Sequence, residues 1–145
     1  MSSVHVDVSF TVRRKEISER RVRELVAATL RTERVRDALI SIAFVGETTI
    51  SRLNREFLSH QGSTDVISFG LSRTGKSAPV IGDIYICPEI ARRNARALRV
   101  SVREELARLV VHGTLHILGY DHPDGERRLS SEMWKRQERI LESSR

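Results

Sequence analysis

Residues 38–45 read Ala-Leu-Ile-Ser-Ile-Ala-Phe-Val, an almost continuous apolar run. Such a run suits a central strand, and the flanking segments must supply its neighbours and its cover. Upstream, Val4, Val6, Val8 and Phe10 alternate with His5, Asp7 and Ser9. That period of two predicts a half-buried strand. Between the two strands, Ser18 is placed to cap a helix whose apolar residues, Val22, Leu25, Val26 and Leu30, fall at helical spacing. Ile50, Leu53 and Phe57 form a second helical stripe.

The second half repeats these signals in another order. His60 to Thr64, with Gly62 inside, reads as a loop, and Val66 to Phe69 as a short strand. Gly70 to Pro79 is polar with two glycines and predicts an exposed loop before a strand over Ile81 to Ile86. Those two strands are placed to pair as a hairpin, although the connection exceeds the preferred turn lengths. Pro88 suits the first position of a helix carried by Ala91 to Leu98. Ser101 and Glu104 form an S-x-x-E capping box, so a helix starts at Val102 and runs to about Leu118, where Gly119 can end it. A last helix is expected over roughly Gly125 to Glu142. The order β-α-β-α-β-β-α-α-α neither alternates strictly nor segregates. It predicts an α+β fold with one mixed sheet of about four strands and about five helices.

Composition limits the classes open to such a chain. Its 145 residues predict one domain, 1–145, with no repeat or interior linker. No apolar run is long enough to span a membrane, and the first ten residues lack the apolar core of a signal peptide. Cys87 is the only cysteine, which excludes an internal disulfide framework and makes the cytoplasm the expected compartment. Lys plus Arg number 25 against 19 Asp plus Glu, a net charge of +6. A basic balance attracts phosphate backbones, but a strong arginine skew also follows from genome composition.

The chemistry concentrates in Val111 to Asp124, VHGTLHILGYDHPD, which holds three of the five histidines. On a helix, His112 and His116 differ by about 40° and one turn of rise, so both imidazoles leave one face. Gly119 then allows a sharp turn from which His122 can swing back. The metal site is thus expected at the end of a helix in the C-terminal half. Three neutral imidazoles at one point make a catalytic zinc site that keeps a fourth position for water. Positions 112, 116, 119 and 122 also match the histidines and glycine of the metzincin pattern H-E-x-x-H-x-x-G-x-x-H. The glutamate that serves those proteases as general base is replaced here by Gly113, which argues against a metalloprotease. Glycine at 113 leaves room beside the metal or permits close helix packing.

The run HGTLHILGYDH resembles the signature of the YbeY family, bacterial zinc-binding endoribonucleases of rRNA maturation. Leu53-Asn54, Thr64 to Phe69, Gly82-Asp83-Ile84 and Glu104-Glu105-Leu106 are similar to further family blocks in the same order. The resemblance implies that His112, His116 and His122 hold one Zn2+ per chain. It implies metal-dependent cleavage of single-stranded RNA, in rRNA 3′-end maturation and ribosome quality control. RNA, with the ribosome or its assembly proteins, is the implied partner. One departure stands out. Many members carry arginine where this chain has Leu58, a side chain unable to pair with a phosphate; Arg55 and His60 are nearby alternatives.

Other residues divide between site and scaffold. Asp121 is a candidate catalytic base or an orienting partner for a ligand histidine, and equally a turn residue. Thr64 and Asp65 are candidates for substrate contact or for capping a loop. Glu104 and Glu105 complement a helix N-terminus, with Glu105 about 10 Å along the axis from His112 and too far to ligate. Tyr120 is read as a base-stacking residue or a core residue with a wet hydroxyl, and Met133 and Trp134 as core. Arg92, Arg93, Arg96, Arg99, Arg103 and Arg108 suggest a basic track for RNA. Arg127 and Arg128 are candidates for substrate contact nearest the metal. The non-catalytic alternative is a ribosome-associated RNA-binding protein with a structural zinc, its fourth position closed by Asp121 or Asp124.

Overall fold

The central apolar run does lie inside a sheet. The computed structural model describes residues 3–59, 61–71, 75, 77–120 and 131–145. Its elements are β1 (Ser3–Phe10), α1 (Glu19–Thr32), β2 (Asp37–Phe44), α2 (Glu47–Leu58), β3 (Val66–Gly70), β4 (Val80–Ile86), α3 (Pro88–Leu98), α4 (Val102–Ile117) and α5 (Glu132–Ser143). The strands form one mixed sheet in the order β1-β2-β4-β3. β2 pairs in parallel with β1 and β4, and β3 returns antiparallel to β4 as the expected hairpin. With five helices among the described residues, the architecture is the α+β class that the sequence pattern predicts.

The two faces of β2 are covered unequally. Ala38, Ile40, Ile42 and Phe44 are buried in the main core with Leu25 and Leu30 of α1, Val110 and Leu115 of α4, and Met133 of α5. Each fully buried aliphatic side chain there contributes about 1.5–3 kcal/mol. On the opposite face a smaller cluster of Val45, Ile50, Ile67 and Cys87 covers only one end of the sheet. Leu39 therefore remains 45% exposed. An unbroken apolar run implies cover on both faces, but the short helix α2 reaches only part of the second one.

Caps set the helix starts. The Ser18, Ser101 and Ser131 hydroxyls accept from the N–H groups of Arg21, Glu104 and Trp134. Ser131 starts α5 at Glu132, later than the predicted Gly125; residues 125–130 lie outside the described residues. The capping box is only half formed, because the Glu104 carboxylate instead pairs with Arg145 and Arg108.

α4 is the helix that positions the site. Nine of its sixteen residues are buried, so cover on nearly every side, rather than one amphipathic stripe, holds it. It packs against α1, α3, α5, β3 and β4. The buried Thr114 hydroxyl donates to the Val110 carbonyl at 2.8 Å, which satisfies it within the helix. At Gly113 the helix lies directly on the sheet. A Cβ there would sit 2.9 Å from Ile84 Cγ2 and 3.1 Å from Ser68 Oγ. Of the two readings of this glycine, close helix packing is the one realised.

Candidate functional site

A cleft of about 500 Å3 opens beside α4, walled by β3, the end of α3 and α5. His112 and His116 line it, as do Thr64 and Asp65 from the segment entering β3. The rings of His112 and His116 lie 4.6 Å apart between centroids and cross at 82°. Helical spacing thus delivers both imidazoles to one face. Gly119 follows with φ +103°, the left-handed conformation that stops the helix. Beyond it, the Tyr120 hydroxyl donates to Glu33 at 2.6 Å and the Arg136 guanidinium sits 5.5 Å over its ring. Tyr120 is therefore a packed residue with a satisfied hydroxyl, and it anchors the chain leaving α4 instead of facing the cleft. Its pKa is raised, first by the bond to Glu33 and then by burial.

His122, Asp121, Asp124, Arg127, Arg128 and His60 lie outside the described residues. Among the described residues no group of three or more His, Cys, Asp or Glu side chains is placed to hold a metal. The two helix histidines nevertheless share the cleft wall, and His112 has a defined partner there. His112 Nδ1 lies 2.5 Å from Gln137 Oε1. An amide oxygen only accepts, so Nδ1 carries the proton and the lone pair of the neutral ring lies on Nε2. That tautomer suits a zinc ligand, whose second nitrogen commonly donates to a carbonyl or carboxylate.

Gln137 is 1% exposed and belongs to a chain of polar groups along α4 and α5. Its Nε2 donates to Glu138 Oε2 at 3.0 Å. Arg108 grips the same carboxylate with a two-pronged contact, Nε to Oε2 at 2.8 Å and Nη2 to Oε1 at 3.0 Å. Arg108 also donates to the buried Glu105 at 3.3 Å. Burial pushes the Glu138 carboxyl up, but hydrogen bonds from Arg108 and Gln137 and the Arg108 charge outweigh that and leave it below the ordinary value. The bond to Glu138 raises Arg108 in turn.

Several sequence readings change here. Glu105 is a buried partner of Arg108 on the cleft wall, not only a helix-terminal charge. The arginine track is largely spoken for: Arg92 pairs with Glu16, Arg93 with Glu47, and Arg108 with three glutamates. Arg96, Arg99 and Arg103 remain exposed. Trp134 lines the cleft beside the histidines, while Met133 is core as expected. Asp65 is tied into the scaffold at the edge of the cleft. It borders the cleft, accepts from Asn94 at 3.1 Å, and its carbonyl receives the Cys87 N–H at 2.9 Å.

Two residues to which the sequence reading gave no role shape the site. Asn54, 6% exposed, donates to the Gly62 carbonyl at 3.0 Å and so ties the loop before Thr64 to α2. Gln137 left a faint signal: it is the one polar member of the buried stripe Met133, Gln137, Ile140 and Leu141.

Residues 7–145 match the family model described as Endoribonuclease YbeY. The chain belongs to the YbeY family. An Endoribonuclease YbeY from Anaeromyxobacter is 45% identical over 113 residues, 77% of this chain. The chain spans 59% of the length of that relative. An Endoribonuclease YbeY from Chlorobaculum parvum is 32% identical over 94% of this chain and 93% of its own length. The solution structure of TM1509 from Thermotoga maritima superposes with a TM-score of 0.64 at 27% identity, covering 96% of this chain and 88% of that one. Within the YbeY frame, the glycine after the first histidine is a packing requirement of α4 against Ile84 and Ser68. A glutamate at 113 would aim into the sheet, which removes the protease base by geometry.

Proposed function

We infer that this chain is a metal-dependent endoribonuclease that cuts single-stranded RNA, acting on ribosomal RNA in 3′-end maturation and ribosome quality control in the cytoplasm. The carrying observation is the pair His112 and His116 on one cleft wall, the first with its Nδ1 against Gln137 Oε1, the contact that assigns the lone pair to Nε2. Membership of an endoribonuclease family supports the choice of RNA. No helix among the described residues is long and apolar enough to cross a membrane.

In this reading His112, His116 and His122 hold one Zn2+ per chain. When bound, zinc supplies a positive centre that polarises a phosphoryl oxygen or lowers the pKa of a water. The chain's own residues do the rest. Thr64 and Asp65, with their loop tied down by Asn54, border the path of the backbone. Trp134 lines the same cleft and is proposed to stack a base, a contact that suits unpaired strands. Leu58 and Leu98 form an apolar lip where an arginine would grip a phosphate. Arg127 and Arg128 are proposed for phosphate contact and Asp121 for proton transfer or ligand orientation. Ribosomes or their assembly proteins are the proposed partners.

The test is incubation of metal-quantified protein with end-labelled single-stranded RNA, with and without chelator, beside His116→Ala. Cleavage that disappears in both controls is expected. Intact RNA with zinc still bound would favour a binding protein with a structural metal. Product ends separate the routes: a 2′,3′-cyclic phosphate refutes attack by water and assigns the nucleophile to the RNA 2′-hydroxyl.

A further inference from the structure

We propose that Gln137 is a positioning residue that locks His112 in the Nδ1–H tautomer, so that Nε2 is the ligating nitrogen. This rests on the reading of His112 as a metal ligand. The argument for the lock comes from both ends of the amide. Gln137 Oε1 is 2.5 Å from His112 Nδ1, and Nε2 is 3.0 Å from Glu138 Oε2. Turning the amide over would place its oxygen against the Glu138 carboxylate, two acceptors face to face. Glu138 cannot relieve that by turning, because both of its oxygens are engaged by Arg108 at 2.8 and 3.0 Å. Arg108 is held in turn by Glu105, only 4% exposed. Each link has one donor and one acceptor, so the direction of the whole chain is set. The ring at its end receives an acceptor and must present a proton.

The site gains two things from this. A free neutral imidazole exchanges its proton between both nitrogens, whereas this one is held with the lone pair on Nε2. The ring plane is also fixed by a residue on α5, so the ligand and its support come from different helices joined by packing. Partners of this kind commonly account for 10–100-fold in metal affinity.

The test compares the wild-type chain with Gln137→Met, the double variant Gln137→Glu/Glu138→Gln, and His116→Ala. Nitrogen-15 imidazole correlations on the metal-free protein read the tautomer of His112 directly. Zn2+ affinity is read by competition with a chromophoric chelator. The expected result is an Nδ1–H signature in wild type, Gln137→Glu/Glu138→Gln and His116→Ala, and its loss in Gln137→Met. Zinc affinity is expected to fall about 10–100-fold in Gln137→Met and to be retained in the double variant Gln137→Glu/Glu138→Gln, which keeps the acceptor for His112 and moves the amide donor to position 138. An Nε2–H tautomer in the wild type overturns the proposal without any variant. So does unchanged tautomer and affinity in a folded Gln137→Met. If wild type and His116→Ala bind zinc equally weakly while the tautomer still follows Gln137, the metal reading of the site fails and the lock stands.

Discussion

Replacing Gly113 with alanine sets two effects of opposite sign against each other. Alanine in a helix interior is favoured over glycine by about 0.8–1.0 kcal/mol. If Gly113 were there only to leave space, Gly113→Ala would stabilise the protein by about that amount. The structure argues otherwise. The added Cβ meets Ile84 Cγ2 at 2.9 Å, Ser68 Oγ at 3.1 Å and Ile84 Cδ1 at 3.3 Å. Cγ2 is attached at the branch point of a side chain 0% exposed on an inner strand, so it moves only if the strand or the helix moves. Overpacking of this kind costs about 1–3 kcal/mol. Subtracting the propensity gain leaves a net loss of about 1 kcal/mol, within a span of roughly 0–2. The Ser68 hydroxyl bond to the Gly113 carbonyl, 3.2 Å, is stretched by the same displacement. Urea unfolding reads the result, since about 1 kcal/mol moves the midpoint by about 0.5 M at a slope near 2 kcal/mol/M. A midpoint that rises with an unchanged slope would refute the close-packing account of α4.

Three more outcomes follow from the same geometry. Tyr120→Phe removes a hydroxyl bond to an ionised partner and is expected to cost about 1.5 kcal/mol, the low end for such bonds, since Glu33 keeps Arg136 at 2.9 Å; thermal unfolding measures it, and no loss would count against the anchor. Ser101→Ala should cost about 1 kcal/mol through the lost cap on α4, with amide exchange fastest at Glu104, whose N–H the hydroxyl holds at 3.0 Å. Glu138 has a folded pKa below its unfolded value, because Arg108 and Gln137 outweigh its burial. Its stabilisation is therefore complete above the unfolded value, about 4.3, and is lost as pH falls through the lower folded value. Stability measured from about pH 6 to 3 should fall less steeply in Glu138→Gln than in wild type, and parallel curves would contradict this.

Much of the scaffold was legible before any coordinates. Apolar periodicity placed β1, α1 and α2, apolar runs placed the other three strands, and Pro88 and the Ser101–Glu104 pair marked α3 and α4. Serine caps marked the starts of α1 and α4, and Gly119 its end, because capping is local chemistry between a side chain and backbone groups a few residues away. The spacing of His112 and His116 put both rings on one face for the same reason: helix pitch alone decides it. The Leu39 face shows where local reading ends. Its apolar neighbours on both sides say that cover is needed, but only the length and path of α2 decide how much arrives.

What the sequence by itself determined is therefore the elements, the α+β class and the histidine pair. The tertiary structure alone decided who stands beside that pair. Gln137 comes 25 residues after His112, and Arg108 and Glu138 are separated by 30, distances with no periodic signature. Arg108 reads as one more surface cation in a basic chain until α5 packs on α4 and turns it into the grip on a glutamate. Gly113 reads as a missing catalytic base until the helix is laid against Ile84 and Ser68. Contacts along a helix are dictated by its pitch, whereas contacts between helices depend on how whole buried faces fit together, and no short stretch of sequence holds that information.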